Sequence, residues 1–271
     1  MFFSVLMSVY FRERAIYLDK ALSSVLVNQT IKPSELVLVA DGQLTDELYS
    51  TIHKYKEVFP NFKLIQLPNN VGLGKALNEG LKHCSYDWIA RMDSDDICTP
   101  DRFEKQLEYI QSHPNTYVIG AWISEFSESP KNITSIRKVP EIHTEIVQFA
   151  RSRSPINHPV VFFNKLAVLN VGGYEHCPFF EDYWLWIRLL HNKIQFYNIQ
   201  ESLLFFRANK SMYERRGGGS YIKYECNFLY KMRKLGFISS FTFMKNLVGR
   251  ICFRIIPNNA RIKLYQKILR K

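Results

Sequence analysis

The stretch WIARMDSDD, residues 88 to 96, runs from an apolar segment directly into three aspartates within four positions. The apolar part is typical of a buried strand, whereas carboxylates this close together repel one another and are costly to desolvate. Two explanations are open. The aspartates form a solvated cluster before a helix that begins at Thr99 and Pro100, or they hold a cation. The pair Asp93-x-Asp95 offers the hard oxygen ligands that Mg²⁺ and Mn²⁺ accept.

Strand and helix signals alternate through the residues that precede this stretch. Between short apolar runs, further apolar residues recur at helical spacing. The runs predict four strands: FFSVLMSVY (2–10), LVLVA (36–40), FKLIQL (62–67) and DWIARM (87–92). Such near-continuous apolar strands belong in a parallel sheet that is covered on both faces. Because ligands bind beyond the carboxyl ends of these strands, we expect Asp41 and Asp93 to face one cleft.

The segment GLGKAL, residues 72 to 77, contains fragments of two phosphate-binding patterns. Leu77 stands where a dinucleotide fingerprint needs its third glycine, and Ala76 replaces the serine or threonine of a P-loop. Since both patterns are incomplete, we expect a loop that enters a helix.

Charge and cysteine content narrow the class of protein. The chain of 271 residues has a net charge of +11, and residues 226–271 contain eleven Lys or Arg with no Asp or Glu. The five cysteines form no CxxC pair, which predicts neither a disulfide framework nor a zinc site and favours a reducing compartment. The first residues do not have the pattern of a signal peptide, and no run approaches the ~20 apolar residues that span a bilayer.

A set of motifs in a fixed order resembles the family 2 glycosyltransferases over residues 1 to about 207: SVYFRER, ELVLVADG, PNNVGLGKALNEGL, ARMDSDD, NHP, VGGY and FEDYWLWIRL. The resemblance implies an α/β fold of the GT-A type, with a mostly parallel central sheet and helices on both faces. It also implies an inverting, metal-dependent transfer of a hexose from a UDP-sugar to a lipid-linked saccharide in bacterial surface polysaccharide synthesis. The form DSDD looks like that of enzymes that add β-linked galactose or glucose to an N-acetylglucosamine diphospholipid.

The same resemblance assigns roles to individual residues. Asp95 and Asp93 would hold Mn²⁺ or Mg²⁺, which stabilises charge on the leaving nucleoside diphosphate. Asp182 would be the general base that removes the proton of the acceptor hydroxyl. Nucleotide-sugar binding would involve Tyr10, Glu13, Asp41, Arg91, Asp93 and Arg207. The acceptor side would involve His158, Glu181 and Trp184.

Plainer explanations exist for several of these residues. Tyr10 could be a core aromatic, Asp41 the first residue of a turn, and Asp182 a helix cap. His158 could be a satisfied structural histidine, and Arg91 could pair with a neighbouring aspartate.

Two further features bear on the site. Core packing is an alternative use for Trp184 and Trp186. Relatives often carry Tyr-Arg-x-His near the end of the domain, where this chain has FRAN at 206–209, so Arg207 is kept and the histidine is absent.

The charge distribution suggests two parts. We expect a catalytic domain over residues 1–225, divided near residue 97 into a nucleotide-sugar half and an acceptor half, and a basic helical tail over residues 226–271. Apolar residues at helical spacing, interleaved with cations, favour an anionic lipid surface as the partner of the tail. A helical pair packed on the body is the main alternative, and nucleic acid is disfavoured because no binding motif is present. The expected location is the cytoplasmic face of the cell membrane, with peripheral association.

Two other functions compete with this interpretation. One is a non-catalytic binding module that has a nucleotide-binding fold and a basic tail. The other is a nucleotidyltransferase, which would release diphosphate from a nucleoside triphosphate.

Overall fold

The computed structural model describes residues 1–208 and 219–255. Its first part alternates strand and helix as the sequence predicts. The elements are β1 (Ser4–Val9), α1 (Ala15–Leu26), β2 (Glu35–Ala40), α2 (Asp46–Val58), β3 (Phe62–Gln66), α3 (Leu73–His83) and β4 (Trp88–Asp93). Each predicted strand is present, with ends that differ from the expected ones by one or two residues.

The second part is less regular. It contains β5 (Ile97–Cys98), α4 (Arg102–Ser112), β6 (Thr116–Phe126), β7 (Ile133–Arg137), α5 (His143–Phe149), a 3₁₀ turn (His158–Val160), β8 (Phe162–Asn164), α6 (Lys165–Asn170), α7 (Glu181–His191) and β9 (Gln195–Arg207). Two helices follow after the gap in the described residues: α8 (Gly219–Lys234) and α9 (Ser240–Ile255).

One sheet joins all the strands in the order β3-β2-β1-β4-β8-β6-β9-β5, and β7 pairs with β6 off this path. The strands β3, β2, β1 and β4 are mutually parallel, and β6 and β9 also run parallel. Antiparallel pairs join β8 to β4 and to β6, and β5 to β9. The predicted parallel sheet is therefore confirmed for the first four strands, and the remainder of the sheet is mixed.

Alternate residues of the parallel strands point into two hydrophobic cores on opposite faces. Leu6 of β1 packs in the core that α3, α7 and α8 cover. Val5 and Met7 pack in the core that α1, α2 and α4 cover. This arrangement confirms the α/β fold with helices on both faces.

The predicted helix start at Thr99 and Pro100 is wrong by two residues. The helix α4 begins at Arg102, and no side chain caps it. The hydroxyl of Thr99 instead donates a hydrogen bond to the carbonyl of Leu203. This contact forms because β5, which directly follows the aspartates, pairs with β9. A two-residue strand has too few positions to show a period of two, so the sequence pattern could not reveal it.

The carboxyl-terminal helices pack on the body. Phe228, Leu229 and Met232 of α8 are buried in the core that α7 lines. The predicted domain boundary at residue 225 thus falls inside α8. This packing was the main alternative to a separate tail. The segment 256–271, which is the last part of the predicted basic tail, lies outside the described residues.

The helix α9 packs on α8 with one face and exposes the other. Phe243 and Leu247 contact the core. The outer face carries Phe241, Met244, Val248 and Cys252, all of which are exposed. Among the described residues, no helix combines the length and the hydropathy that crossing a bilayer requires.

Candidate active site

Three parallel strands bring predicted site residues to one edge of the sheet. In β1, Ser8 lies beside Asp93 of β4, and Val9 lies beside Ala40 of β2. Tyr10 and Asp41, which directly follow β1 and β2, therefore reach the edge where the aspartates lie. The expectation that Asp41 and the aspartate cluster face one cleft agrees with this register.

The three aspartates form a compact acidic cluster. Asp93, Asp95 and Asp96 each offer a carboxylate oxygen, and these oxygens lie within 4.8 Å of one another. Burial, reinforced by the charges of Asp93 and Glu13, raises the pKa of Asp95 to about 7. Burial also raises the pKa of Asp96 well above its usual value, with the charges of Asp95 and Asp93 adding to the effect. A set of crowded carboxylates whose negative charge is unfavourable fits a divalent cation.

Arg91 supports the cluster from inside the protein. Its side chain is fully buried at the end of β4, where Nη2 donates a hydrogen bond to Asp93. Among the described residues, its Nε and Nη1 have no hydrogen-bond partner. Arg91 thus pairs with a neighbouring aspartate, as one interpretation of the sequence expected. Its Nε and Nη1 remain as buried donor atoms for an anionic ligand.

Arg207 ties the last strand to the acidic cluster. Its backbone N–H donates to Asp96 Oδ1 at 2.8 Å, and its Nε donates to the carbonyl of Asp95 at 3.0 Å. The guanidinium lies over the rings of Tyr17 and Phe126, at 3.8 and 4.6 Å from their centroids. Arg207, which was predicted to reach the diphosphate, is buried. Its hydrogen bonds instead order the backbone of Asp95 and the side chain of Asp96.

The nucleotide side contains Tyr10, Glu13 and Asp41. The Tyr10 ring is 38% exposed, so it is not a core aromatic. Glu13 accepts a hydrogen bond from the hydroxyl of Ser94 at 2.9 Å, which connects the loop after β1 to the aspartates.

Asp41 is buried, and both of its carboxylate oxygens are engaged. They accept hydrogen bonds from the backbone N–H groups of Val71 at 2.7 Å and Gly72 at 3.0 Å. Gly72 has φ +88° and directly precedes α3, so the glycine-rich segment is a helix entry, as expected. Asp41 therefore fixes this loop, and Gly42, which directly follows it, has φ +88°, so the chain also bends where the sequence suggested a turn.

The helix α7 presents the predicted base. Glu181 and Asp182 are its first two residues, and neither is the cap, because the helix is preceded by Phe180 without a side-chain cap. Both carboxylates lie in the first turn, where the helix dipole favours negative charge. Burial raises the pKa of Glu181, whose Cβ and Cγ lie beside Gly74 of α3. Asp182 is partly exposed.

Tyr174 connects the two halves of the site, and the sequence interpretation assigned it no role. It is buried, and its hydroxyl lies 2.9 Å from Nε2 of His158. Burial raises the pKa of Tyr174; the nearby charge of Arg91 opposes this shift, and the charges of Asp182 and Asp93 add to it. Tyr174 therefore joins His158 to α3, because its backbone is held by Asn78 of that helix. The sequence offered Tyr174 only as the last residue of the motif VGGY.

Two side chains that the sequence interpretation missed hold the loop of Tyr174. Asn78 of α3 accepts from the Tyr174 N–H and donates to its carbonyl, both at 2.8 Å. Arg188 of α7 donates to the carbonyls of Val171 and Gly173. At Gly173, which has φ +66°, a Cβ would lie 2.5 Å from Asn78 Oδ1, so this position requires glycine.

The structure corrects the predicted acceptor role of Trp184. Its side chain is only 7% exposed, its Nε1 donates to Glu175 at 2.7 Å, and Arg188 and Lys231 lie over its ring. Trp186 is fully buried, so core packing explains both tryptophans.

His158 also has a structural explanation. Burial, with the charge of Arg91 adding, lowers the pKa of His158 well below its usual value, so the ring is neutral. It contacts the loop between α6 and α7 through the hydroxyl of Tyr174. His158 therefore lies behind the site and supports Tyr174.

Comparison with known proteins adds a second line of observation. The family model described as "Glycosyl transferase family 2" matches residues 4–172. A relative described as an uncharacterized glycosyltransferase of Haemophilus influenzae is 42% identical over 99% of both chains. The UDP-Gal:alpha-D-GlcNAc-diphosphoundecaprenol beta-1,3-galactosyltransferase of Escherichia coli is 37% identical over 99% of this chain and 97% of its own length.

Solved structures share the fold at low identity. TarS of S. aureus matches 86% of this chain and 40% of its own with a TM-score of 0.64 at 19% identity. The mannosyltransferase PcManGT from Pyrobaculum calidifontis, in complex with GDP-Man and Mn²⁺, matches 98% of this chain and 75% of its own with a TM-score of 0.65 at 14% identity.

Proposed function

The chain belongs to glycosyl transferase family 2 and is a glycosyltransferase, and on this premise we propose that it transfers galactose from UDP-galactose to the N-acetylglucosamine of a lipid-linked diphosphate. The observation that carries the proposal is the acidic cluster at the end of β4, where carboxylate oxygens of Asp93, Asp95 and Asp96 lie within 4.8 Å of one another. A cluster that can hold a cation and a carboxylate base, here Asp182 in the first turn of α7, are what such a transfer needs. The 37% identical galactosyltransferase supports the choice of sugar and acceptor.

The mechanism that we propose is a single inverting displacement. Asp182 accepts the proton of the acceptor hydroxyl while the oxygen attacks the anomeric carbon of the donor. The bond between that carbon and the diphosphate oxygen breaks, and its electron pair leaves with UDP. Asp93 and Asp95 would hold a divalent cation, Mn²⁺ or Mg²⁺, which when bound neutralises charge on the departing diphosphate.

The remaining residues position the donor in this proposal. Arg91 has two buried N–H donors without a partner among the described residues, and these would meet the diphosphate from the protein side. Tyr10 exposes a ring at the end of β1 on which uracil can stack. Asp41 and Glu13 would shape the nucleotide pocket through the loops that they hold.

The first test measures UDP binding by calorimetry, with and without Mn²⁺, for the wild type and for Asp95→Ala. We expect binding that depends on Mn²⁺ and that the substitution abolishes. Asp87 is exposed and directly precedes β4, so Asp87→Asn is the control for loss of a carboxylate near the same strand. If the wild type binds no UDP either with or without Mn²⁺, the proposed donor is wrong.

The second test measures galactose transfer to an N-acetylglucosamine diphospholipid for the wild type and Asp182→Asn. We expect Asp182→Asn to keep UDP affinity and to lose about a hundredfold or more in turnover, because the base is absent. A binding module would tolerate this substitution. A nucleotidyltransferase would instead release diphosphate from a nucleoside triphosphate.

We further propose that residues 226–271 attach the enzyme to an anionic lipid surface. The outer face of α9 exposes Phe241, Met244 and Val248, and Lys245 lies among them. This combination of apolar side chains and cations suits the interface of a bilayer. The 46 residues contain no acidic side chain to oppose the attraction.

Flotation with anionic vesicles tests this attachment. Removing residues 226–271 would also remove the buried side chains of α8, so substitutions are needed. The variant Phe241→Ser, Met244→Ser, Val248→Ser should stay in the soluble fraction. The control Ile16→Ser, Val27→Ser, Val58→Ser removes exposed apolar groups from α1, α2 and their ends, and it should float like the wild type. Equal flotation of both variants would contradict the proposal.

A further inference from the structure

Phe179 has an unusual backbone conformation next to the proposed base. Its φ is +67°, in the left-handed region, where a bulky aromatic residue is strained. It precedes Asp182 by three residues and lies just outside α7. Its side chain is 49% exposed, so burial of the ring does not explain the strain.

Phe179 contacts two aromatic rings of α8. Its ring centroid lies 5.1 Å from that of Tyr221 and 5.8 Å from that of Tyr224, both in tilted contacts. Tyr221 is buried, whereas Tyr224 is 37% exposed. We refer to Phe179, Tyr221 and Tyr224 as the aromatic shelf.

The aromatic shelf rests on a rigid base. Phe180 stacks on Phe228 with centroids 4.8 Å apart and ring planes 6° apart, and Tyr221 also contacts Phe180. Phe228 and Tyr221 belong to the same core as α7. The position of the exposed Phe179 ring is therefore fixed relative to the helix that carries Asp182.

Resting on the proposed function, we propose that the aromatic shelf binds the sugar ring of the acceptor, the ring whose hydroxyl Asp182 deprotonates. The reacting hydroxyl is attached to the acceptor sugar ring. A surface beside Asp182 is therefore closer to that ring than to the rest of the acceptor. The lipid of the acceptor is separated from this ring by a diphosphate. An aromatic face covers the C–H groups of a sugar, and the hydroxyl of Tyr224 at its edge can meet a polar substituent.

A glycine at position 179 would adopt the left-handed conformation without strain, and glycine is the residue usually found there. It would, however, provide no aromatic ring. The chain has glycine at other positions with positive φ, such as Gly172 and Gly173 in the neighbouring loop. A phenylalanine at φ +67° therefore places an exposed ring three residues before the base at a cost to stability.

Calorimetry on the full chain loaded with UDP and Mn²⁺ tests the inference. The probes are N-acetylglucosamine α-diphosphate esters with a decyl or a methyl carrier. Phe179→Gly keeps the backbone conformation and removes the ring, Phe179→Leu keeps an apolar group, and Phe179→Trp keeps a flat ring. Tyr230→Ala is the control, because Tyr230 is 53% exposed on the same α8 and lies outside the aromatic shelf.

We expect Phe179→Gly and Phe179→Leu to bind both esters about tenfold more weakly, with UDP affinity unchanged. Phe179→Trp and Tyr230→Ala should bind like the wild type. Unchanged ester binding by Phe179→Gly overturns the inference, as does a loss confined to the decyl ester, which would place the lipid on the ring. In either case, galactose transfer by the wild type leaves the proposed function intact. A wild type that binds UDP but neither ester contradicts both.

Discussion

Asp95 and Asp96 combine burial with mutual repulsion, which the buried guanidinium groups of Arg207 and Arg91 offset only in part. Burial and the neighbouring charges raise the pKa of both carboxyl groups. Their ionised forms are therefore disfavoured in the folded chain, and a divalent cation would reverse that balance. The cluster is a site where stability and function oppose each other.

We predict that Asp95→Asn stabilises the metal-free protein at pH 8 and removes its response to Mn²⁺. Relief of repulsion by about 1 kcal/mol would raise Tm by roughly 2–4 °C for a chain of this size. The wild type should gain stability on addition of Mn²⁺, because the cation binds the folded form. Differential scanning fluorimetry with and without Mn²⁺ measures both effects. A lower Tm for metal-free Asp95→Asn, with Asp87→Asn unchanged, would contradict the prediction.

The loop between α6 and α7 depends on Asn78 in a similarly specific way. We predict that Asn78→Ala lowers kcat about tenfold, because two hydrogen bonds that position Tyr174 beside Asp182 are lost. UDP affinity should stay unchanged, since both of the hydrogen bonds that are lost are to Tyr174, which is not among the residues proposed to bind the nucleotide. Steady-state kinetics together with UDP titration separates the two effects.

A matched substitution controls for a general effect on folding. Asn61→Ala also removes a side-chain hydrogen bond to a backbone carbonyl, that of Ser34, at an exposed position. Its kcat should equal that of the wild type. If Asn78→Ala has full activity, the contacts of Arg188 are sufficient to hold the loop.

Among the elements, the start of β2 is held by a buried carboxylate. Glu35 accepts hydrogen bonds from the hydroxyl of Ser4 at 2.6 Å and from the N–H and hydroxyl of Ser85, and it pairs with Lys63. Burial alone would raise the pKa of Glu35, but these donors together hold it below its usual value. The contacts connect β2 with β1, with β3 and with the loop before β4.

We predict that Glu35→Gln destabilises the protein by about 2 kcal/mol at pH 7, because charge-assisted hydrogen bonds are lost. Since the pKa of Glu35 is lower in the folded chain, the unfolded chain binds this proton first as the pH falls. The stabilisation is therefore present above the ordinary value of 4.5 and is lost below it. Urea unfolding at several pH values should show the difference from wild type shrinking in acid.

The exposed Glu57→Gln serves as the control in the same experiment. It should unfold like the wild type at every pH. A difference between Glu35→Gln and wild type that stays constant down to acid pH would show that the charge of Glu35 is not responsible.

The sequence predicted the elements whose signal is local. The runs that became β1, β2 and β4 bury most of their residues, so their composition alone indicated a parallel sheet, whereas β3 buries only Phe62. The register of these strands then placed Asp41 and Asp93 at one edge. What periodicity could not show are contacts between distant positions. Asn78 meets Tyr174 across 96 residues, and Arg207 meets Asp96 across 111.

At the scale of the whole molecule, the two carboxyl-terminal helices are part of the body. The helix α8 completes the core beside α7, and Arg250 of α9 pairs with Glu225 at 3.1 Å. Arg250 also donates to the carbonyl of Ser152, and Asn246 donates to that of Arg151. The charge asymmetry of the sequence marked this region correctly as basic, but it could not reveal the packing, because buried apolar residues are interspersed with the cations.

We predict that Phe228→Ala costs about 3–5 kcal/mol of stability, because a fully buried ring is removed from the core that holds α7. Tyr230→Ala, two residues away on the exposed side, should cost less than about 1 kcal/mol. Denaturant unfolding of both variants measures the difference. Similar stabilities would mean that α8 is not part of the cooperative unit.

The five thiols differ enough in their surroundings to be told apart by chemistry. Burial raises the pKa of Cys84 to about 12 and that of Cys177 to about 11, and it also raises the pKa of Cys98. Cys252 is the exposed thiol, one turn after Val248 on the outer face of α9. Because the thiolate is the reactive form, a maleimide at neutral pH should modify Cys252 first. The native chain therefore provides its own labelling position, where a polarity-sensitive fluorophore would report whether this helix enters a lipid layer.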